Sequence, residues 1–327
     1  MASVKLKKAA QVALKDYMGL DEDELLLVIS DENRSEIGYA MYEVGKKMCF
    51  EAFYIEMKTR DFHGQEPPDI IAEMMKMVDV VVIPTTMSMT HTRARRQASL
   101  VGVRIGTMPG ITVDTLVRCM NADPEQIITL TESVLRIFNN TSIVRIETKL
   151  GTDISFPMKN RTILSSTGVL RNIGEAGNIP AGEVYFAPWE GKSNGTIVID
   201  GSIASIGKLS KPVVVEVVDG FAKKISGDGE EAQILAKMLK KAGDDGRNIA
   251  ECGIGTNYKA EVCGEILEDE KAMGTVHIAF GNNISLGGVI DVPIHIDGII
   301  TKPNVYCDDE PIMLNGKFVF DQLGLKF

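Results

Sequence analysis

DVVVIP, residues Asp79–Pro84, sets five apolar residues behind one aspartate without polar alternation, and it decides how the first part of the chain folds. A short unbroken apolar run rich in β-branched residues reads as a strand covered on both faces. Working outward, a helical pattern near 67–77 precedes it. Before that come CFEAFYIEM (Cys49–Met57) and a helix that Asp31 or Ser35 can cap and that runs through Lys47. Earlier still are the apolar run ELLLVIS (Glu24–Ser30) and a helix at roughly 4–18. VGVRIG (Val101–Gly106) and TVDTLVRCMN (Thr112–Asn121) follow it. Short apolar strands alternating with helices imply a doubly wound parallel sheet. No GxGxxG follows the first strand, so a dinucleotide fingerprint is missing.

From about residue 141 the texture changes. SIVRIETK, GTIVID, KPVVVEVVDG, VHIAFG and VPIHIDGII are strand-like, and Asp-Gly pairs at 200–201, 219–220 and 228–229 punctuate them. One helical pattern, Glu230–Ala242, interrupts the series. The fold class expected is therefore α/β: an N-terminal doubly wound parallel-sheet domain over residues 1–140, then a mostly antiparallel α+β domain over 141–327 that carries the metal site. The boundary falls between 124 and 150.

With 327 residues and a formal net charge of −10, the chain lacks the basic face that phosphate-dominated nucleic-acid binding needs, and it carries no polybasic membrane patch. No apolar stretch reaches the ~18 residues that span a bilayer, and the N-terminus does not read as a signal peptide. A cytoplasmic location is expected. The cysteines 49, 119, 252, 263 and 307 are odd in number and scattered, which fits reduced thiols rather than a disulfide framework.

The chemistry concentrates in the second half. His295 and Asp297 lie two apart in VPIHIDGII (Val292–Ile300), so a strand presents both on one face. His277 lies in the similar run VHIAFG, Glu183 in the Gly/Pro-framed turn NIPAGEV, and Glu251 beside the glycines of AECGIGTN. Two histidines and three carboxylates are an inventory for one or two borderline divalent ions. The same residues also suit a hydrogen-bonded core histidine, surface glutamates and a His–Asp orienting pair, because sequence separation does not establish convergence. In the first half, PTTMSMTHTRARRQASLVG follows DVVVIP and sets Thr90, His91 and Thr92 beside Arg93, Arg95 and Arg96. Polar residues past the C-terminal end of a strand are where α/β sheets place ligands. The other reading is a capped helix start followed by a solvated basic turn.

NIPAGEV, AECGIGTN, VHIAFG and IHID, in that order over roughly residues 165–300, resemble the M29 metallo-aminopeptidases, the aminopeptidase T/S and leucyl aminopeptidase group. The resemblance implies Glu183, Glu251, His277, His295 and Asp297 as metal ligands, Zn, Co or Mn as the ion, a homodimer and a small peptide as substrate. It departs at Ile284, where those enzymes carry a tyrosine. The chain also resembles, on fewer residues, the 2,5-dihydroxypyridine 5,6-dioxygenases. That likeness implies one Fe(II) on His277, His295 and Asp297, with His91 as acid/base. The leading expectation is hydrolysis of N-terminal peptide bonds by a metal-activated water, with Glu251 or Glu183 as general base where not committed to metal. The alternative is a mononuclear non-haem Fe(II) dioxygenase that opens a hydroxylated (hetero)aromatic ring. A structural, non-catalytic ion is a third reading.

Overall fold

The computed structural model describes residues 2–325. The chain forms two compact units, one running to Glu125 and adding Ser166–Ala181, the other made of Gln126–Ser165 and Gly182 onward. A single cut at 140 therefore misassigns two segments. The helix Pro124–Asn139 buries Leu130, Val134 and Phe138 in the core of the second unit. The strand Ala176–Asn178 pairs in the sheet of the first.

In the first unit β1 (Leu25–Asp31), β2 (Glu51–Met57), β3 (Val80–Thr85) and β4 (Arg104–Pro109) join the Ala176–Asn178 strand in a parallel sheet. Its order is β2–β1–β3–β4–Ala176 strand. Every residue of β3 is buried, as an unbroken apolar run requires when both faces are covered. The order reverses between β1 and β3. Their C-terminal ends meet through Asp31, whose carboxylate accepts hydrogen bonds from the Thr86 backbone amide (2.6 Å) and the Thr86 hydroxyl (3.0 Å). The basic segment after β3 is a capped helix start: Thr92 Oγ1 accepts from the amide of Arg95 (3.2 Å) and opens the helix Arg93–Leu100. Glu66 accepts from the amides of Arg93 and Ala94 (2.5 and 3.0 Å), placing a carboxylate at the positive end of that helix.

The second unit stacks an eight-stranded sheet and a seven-stranded sheet around one hydrophobic core. Four strands of the smaller sheet position the site: Glu183–Phe186, Ile249–Gly255, Thr275–Gly281 and His295–Thr301, each antiparallel to its neighbour. The sequence reading starts the last strand at Val292, three residues too early. Pro293 has no amide hydrogen for a ladder, and pairing begins at His295. NIPAGEV, read as a turn, and AECGIGTN, given no strand in the sequence reading, both carry strands, because their glycines sit on a covered face where close approach matters more than β-propensity.

Side-chain alternation divides this sheet. Val184, Phe186, Cys252, Ile254, Val276, Ile278, Phe280, Ile296 and Ile300 enter the core between the sheets. Their alternates, Glu183, Glu251, His277, His295 and Asp297, face the other way. Glu251 belongs to that set only because of a β-bulge. Ile249 pairs with Phe280 and Glu251 with the adjacent Ala279, so Ala250 is the extra residue. Ile249 thus stays in the core while Glu251, two residues on, turns to the opposite face. Among the described residues no helix is long and apolar enough to cross a membrane, and none of the five cysteines is in a disulfide.

Candidate metal centre

The register builds the site in rows. Gly253 pairs with Tyr185 and with His277, Ala279 with both Glu251 and Asp297, and Gly281 with His295. Glycine and alanine form the floor, and the acids and imidazoles stand around it. A Cβ on Gly253 would overlap the His277 ring. Gly253→Ala is expected to tip that ring and destabilise the second unit by about 1–3 kcal/mol, the usual range for overpacking. Urea unfolding followed by Trp189 fluorescence reads this unit alone, since Trp189 is the single tryptophan and lies within it.

All five expected ligands converge. The Glu251 carboxylate is shared: Oε1 lies 3.2 Å from His277 Nε2 and Oε2 lies 3.1 Å from His295 Nε2. His295 Nε2 is 3.6 Å from Asp297 Oδ1, and Glu183 Oε2 is 3.7 Å from His277 Nε2. Donor atoms of Glu251, His295 and Asp297 all lie within 4.8 Å of one another, close enough to share one ion. Glu183, Glu251, His277 and Asp297 are buried. The His295 side chain keeps 34% of its surface exposed and so marks the open side of the cluster.

Two further residues belong to the site, and the sequence alone does not single them out. Lys271 is 2% exposed and its ammonium bridges Glu183 Oε1 (2.6 Å) and Glu270 Oε1 (2.5 Å). In sequence, EDEK (Glu268–Lys271) looks like a solvated charge run. The available signal is its position just ahead of the strand that carries His277. Asn282 is the other: its carbonyl oxygen lies 2.7 Å from His295 Nδ1 and accepts a hydrogen bond from that nitrogen.

Electrostatics fit a cation. Burial alone would raise the Glu251 carboxyl, but its hydrogen bonds to His277 and His295, together with their charges, hold it well below the usual carboxylate range. Burial opposes charge on His277, yet Glu251, Glu183 and Glu270 carry its pKa up to about 9. Burial is likewise outweighed at His295, raised by Asp297 and Glu251. At Glu270, burial and the charges of Glu183 and Asp297 push the carboxyl up to about 8 against the pull of Lys271. The carboxylates thus hold protons on two imidazoles. A divalent ion held among these carboxylates would offset the same negative charge and compete with protons at any imidazole that ligates it.

His91 lies in the first unit, in the exposed turn before the helix Arg93–Leu100, and its carbonyl accepts from Arg96 Nη1 (2.5 Å). Ile284 opens a short 3₁₀ turn, Ile284–Leu286, after the His277 strand.

The model of the 2,5-dihydroxypyridine 5,6-dioxygenase (NicX) family matches residues 43–320. The 2,5-dihydroxypyridine 5,6-dioxygenase of Pseudomonas putida KT2440 is 24% identical over 264 residues, covering 75% of this chain and 72% of that protein. A solved 2,5-dihydroxypyridine dioxygenase from the same organism superposes with a TM-score of 0.83 at 19% identity, over 96% of each chain. AmpT from Thermus thermophilus superposes with a TM-score of 0.71 at 16% identity, over 96% of this chain and 99% of that one. The aminopeptidase likeness is therefore one of fold. The leading expectation of peptide-bond hydrolysis is overturned by the family and relative matches, which name a dioxygenase. The physical reason for the error is that one set of histidines and carboxylates serves either chemistry, so ligand types alone do not select the reaction. This chain is an enzyme of the 2,5-dihydroxypyridine 5,6-dioxygenase (NicX) family.

Proposed function

We propose that the protein is a ring-opening dioxygenase acting on a dihydroxylated pyridine or a closely related hydroxylated heteroaromatic, with one Fe(II) in the cluster of Glu251, His295 and Asp297. The observation that carries this reading is the convergence of those three donors within 4.8 Å on one sheet face in a chain of this family. The donor set suits the ion: an imidazole and two carboxylates are borderline-to-hard ligands, and His295 is already oriented by the Asn282 carbonyl. A bound ferrous ion supplies the electron chemistry with dioxygen that the side chains lack.

The residues do the rest. Lys271 pairs with Glu183 and Glu270 and offsets carboxylate charge beside the cluster. The missing side chain at Gly253 lets the His277 ring lie directly against the neighbouring strand, beside Glu251. In the overall reaction one ring carbon–carbon bond breaks and both atoms of dioxygen end in the product, so no separate reductant is consumed. The test is oxygen uptake by protein reconstituted anaerobically with one equivalent of Fe(II) and mixed with 2,5-dihydroxypyridine. One dioxygen consumed per ring, with loss of the ring's ultraviolet absorbance, is the expected result. Iron-loaded protein that consumes no oxygen with this or other dihydroxypyridines overturns the reading.

A further inference from the structure

His277 and His295 differ in one respect that bears on which of them meets the ion. A ligating histidine nearly always donates its second ring N–H to a carbonyl, carboxylate or water, which leaves a lone pair on the metal-facing nitrogen. His295 has that arrangement: Nδ1 donates to the Asn282 carbonyl at 2.7 Å, and Nε2 faces Glu251 and Asp297. His277 does not. Its Nδ1 is buried with no hydrogen-bond partner among the described residues. Its Nε2 lies 3.2 Å from Glu251 Oε1. A neutral His277 therefore keeps its proton on Nε2, where Glu251 accepts it, and that nitrogen has no lone pair to give. In the sheet the two histidines flank the Ala279 row that Glu251 and Asp297 share, His295 opposite Gly281 and His277 opposite Gly253. The donor atoms that come within 4.8 Å of one another are those of Glu251, Asp297 and His295.

We propose that this protein holds its ion with one imidazole and two carboxylates, His295, Glu251 and Asp297, and that His277 is a positioning residue that orients Glu251 from behind. Relative to the two-histidine, one-carboxylate set expected for non-haem iron oxygenases, Glu251 takes the place of the second imidazole. Two carboxylates neutralise a divalent ion completely, and their hardness widens the usable ions toward Mn(II). The inference rests on the proposal that an ion occupies this cluster, and it is independent of the ring-opening reaction.

The experiment loads the full-length protein with Mn(II) and counts nitrogen couplings by pulsed electron paramagnetic resonance. Equilibrium dialysis measures the bound ion in the wild type, His277→Gln and His295→Gln. One coordinated imidazole is expected in the wild type, unchanged in His277→Gln and lost in His295→Gln. The amide introduced by His277→Gln can still donate to Glu251, so this variant is expected to keep one ion per chain with affinity reduced by about 10–100-fold. His295→Gln is expected to bind no stoichiometric ion under the conditions that saturate the wild type. Two coordinated imidazoles in the wild type overturn the proposal, as does loss of the ion from folded His277→Gln as complete as from His295→Gln. The wild-type nitrogen count stands even where a variant fails to fold. Wild-type protein that binds no ion overturns both this inference and the iron reading. A single-imidazole site that shows no oxygen uptake overturns only the ring-opening reaction.

Discussion

Lys271→Met is expected to destabilise the second unit by about 3–5 kcal/mol, the cost of removing one partner from a buried ion pair. The ammonium is 2% exposed and bridges Glu183 and Glu270 at 2.6 and 2.5 Å. Burial disfavours its charge, but the two carboxylates outweigh that and raise its pKa above the ordinary lysine value. Methionine fills similar volume and removes the charge, so two carboxylates are left facing each other out of water. The second substitution Glu270→Gln is expected to recover part of the loss by removing one of them. Urea unfolding read by Trp189 fluorescence measures both variants. A Lys271→Met protein within about 1 kcal/mol of wild type, on the scale of an exposed pair, would show that the bridge contributes little.

Glu251→Gln carries the largest expected effect on function. Glu251 is the one residue whose two oxygens reach both imidazoles, at 3.2 and 3.1 Å, and it is also a donor of the three-residue cluster. Glutamine keeps the shape and the hydrogen bond from His277 but removes the charge that offsets the ion. Affinity for Fe(II) or Mn(II) is expected to fall by more than the about 100-fold upper range for a residue acting through another ligand. Oxygen uptake is expected to fall with it. Equilibrium dialysis of the ion alongside an oxygen electrode checks the two together. Retained affinity with lost turnover would assign Glu251 to the reaction rather than to the ion.

Much of the architecture was legible because it follows local rules. The β3 run is apolar throughout and is buried throughout. The helix Glu230–Lys241 has acids in its first turn and lysines in its last, as the helix dipole favours. The strand at Glu251 was not legible, since a bulge breaks the alternation that marks a strand and glycines mask the rest. Lys271 was hidden for a different reason. A run of four charged residues has the composition of a surface, and only partners distant in sequence, such as Glu183, make its burial tolerable.

By itself the sequence determined the fold class, a parallel α/β unit and an antiparallel unit, and the five acids and histidines that gather in the second. Those follow from side-chain period and residue type, which act over a few neighbouring positions. Tertiary structure decided which of the five share a single point in space, which nitrogen of each histidine is engaged, and that Lys271 neutralises Glu183. These depend on cross-strand register, the bulge at Ala250 and hydrogen bonds between residues far apart in the chain. No local pattern encodes them, because each is set by what the opposing strand places within about 3 Å.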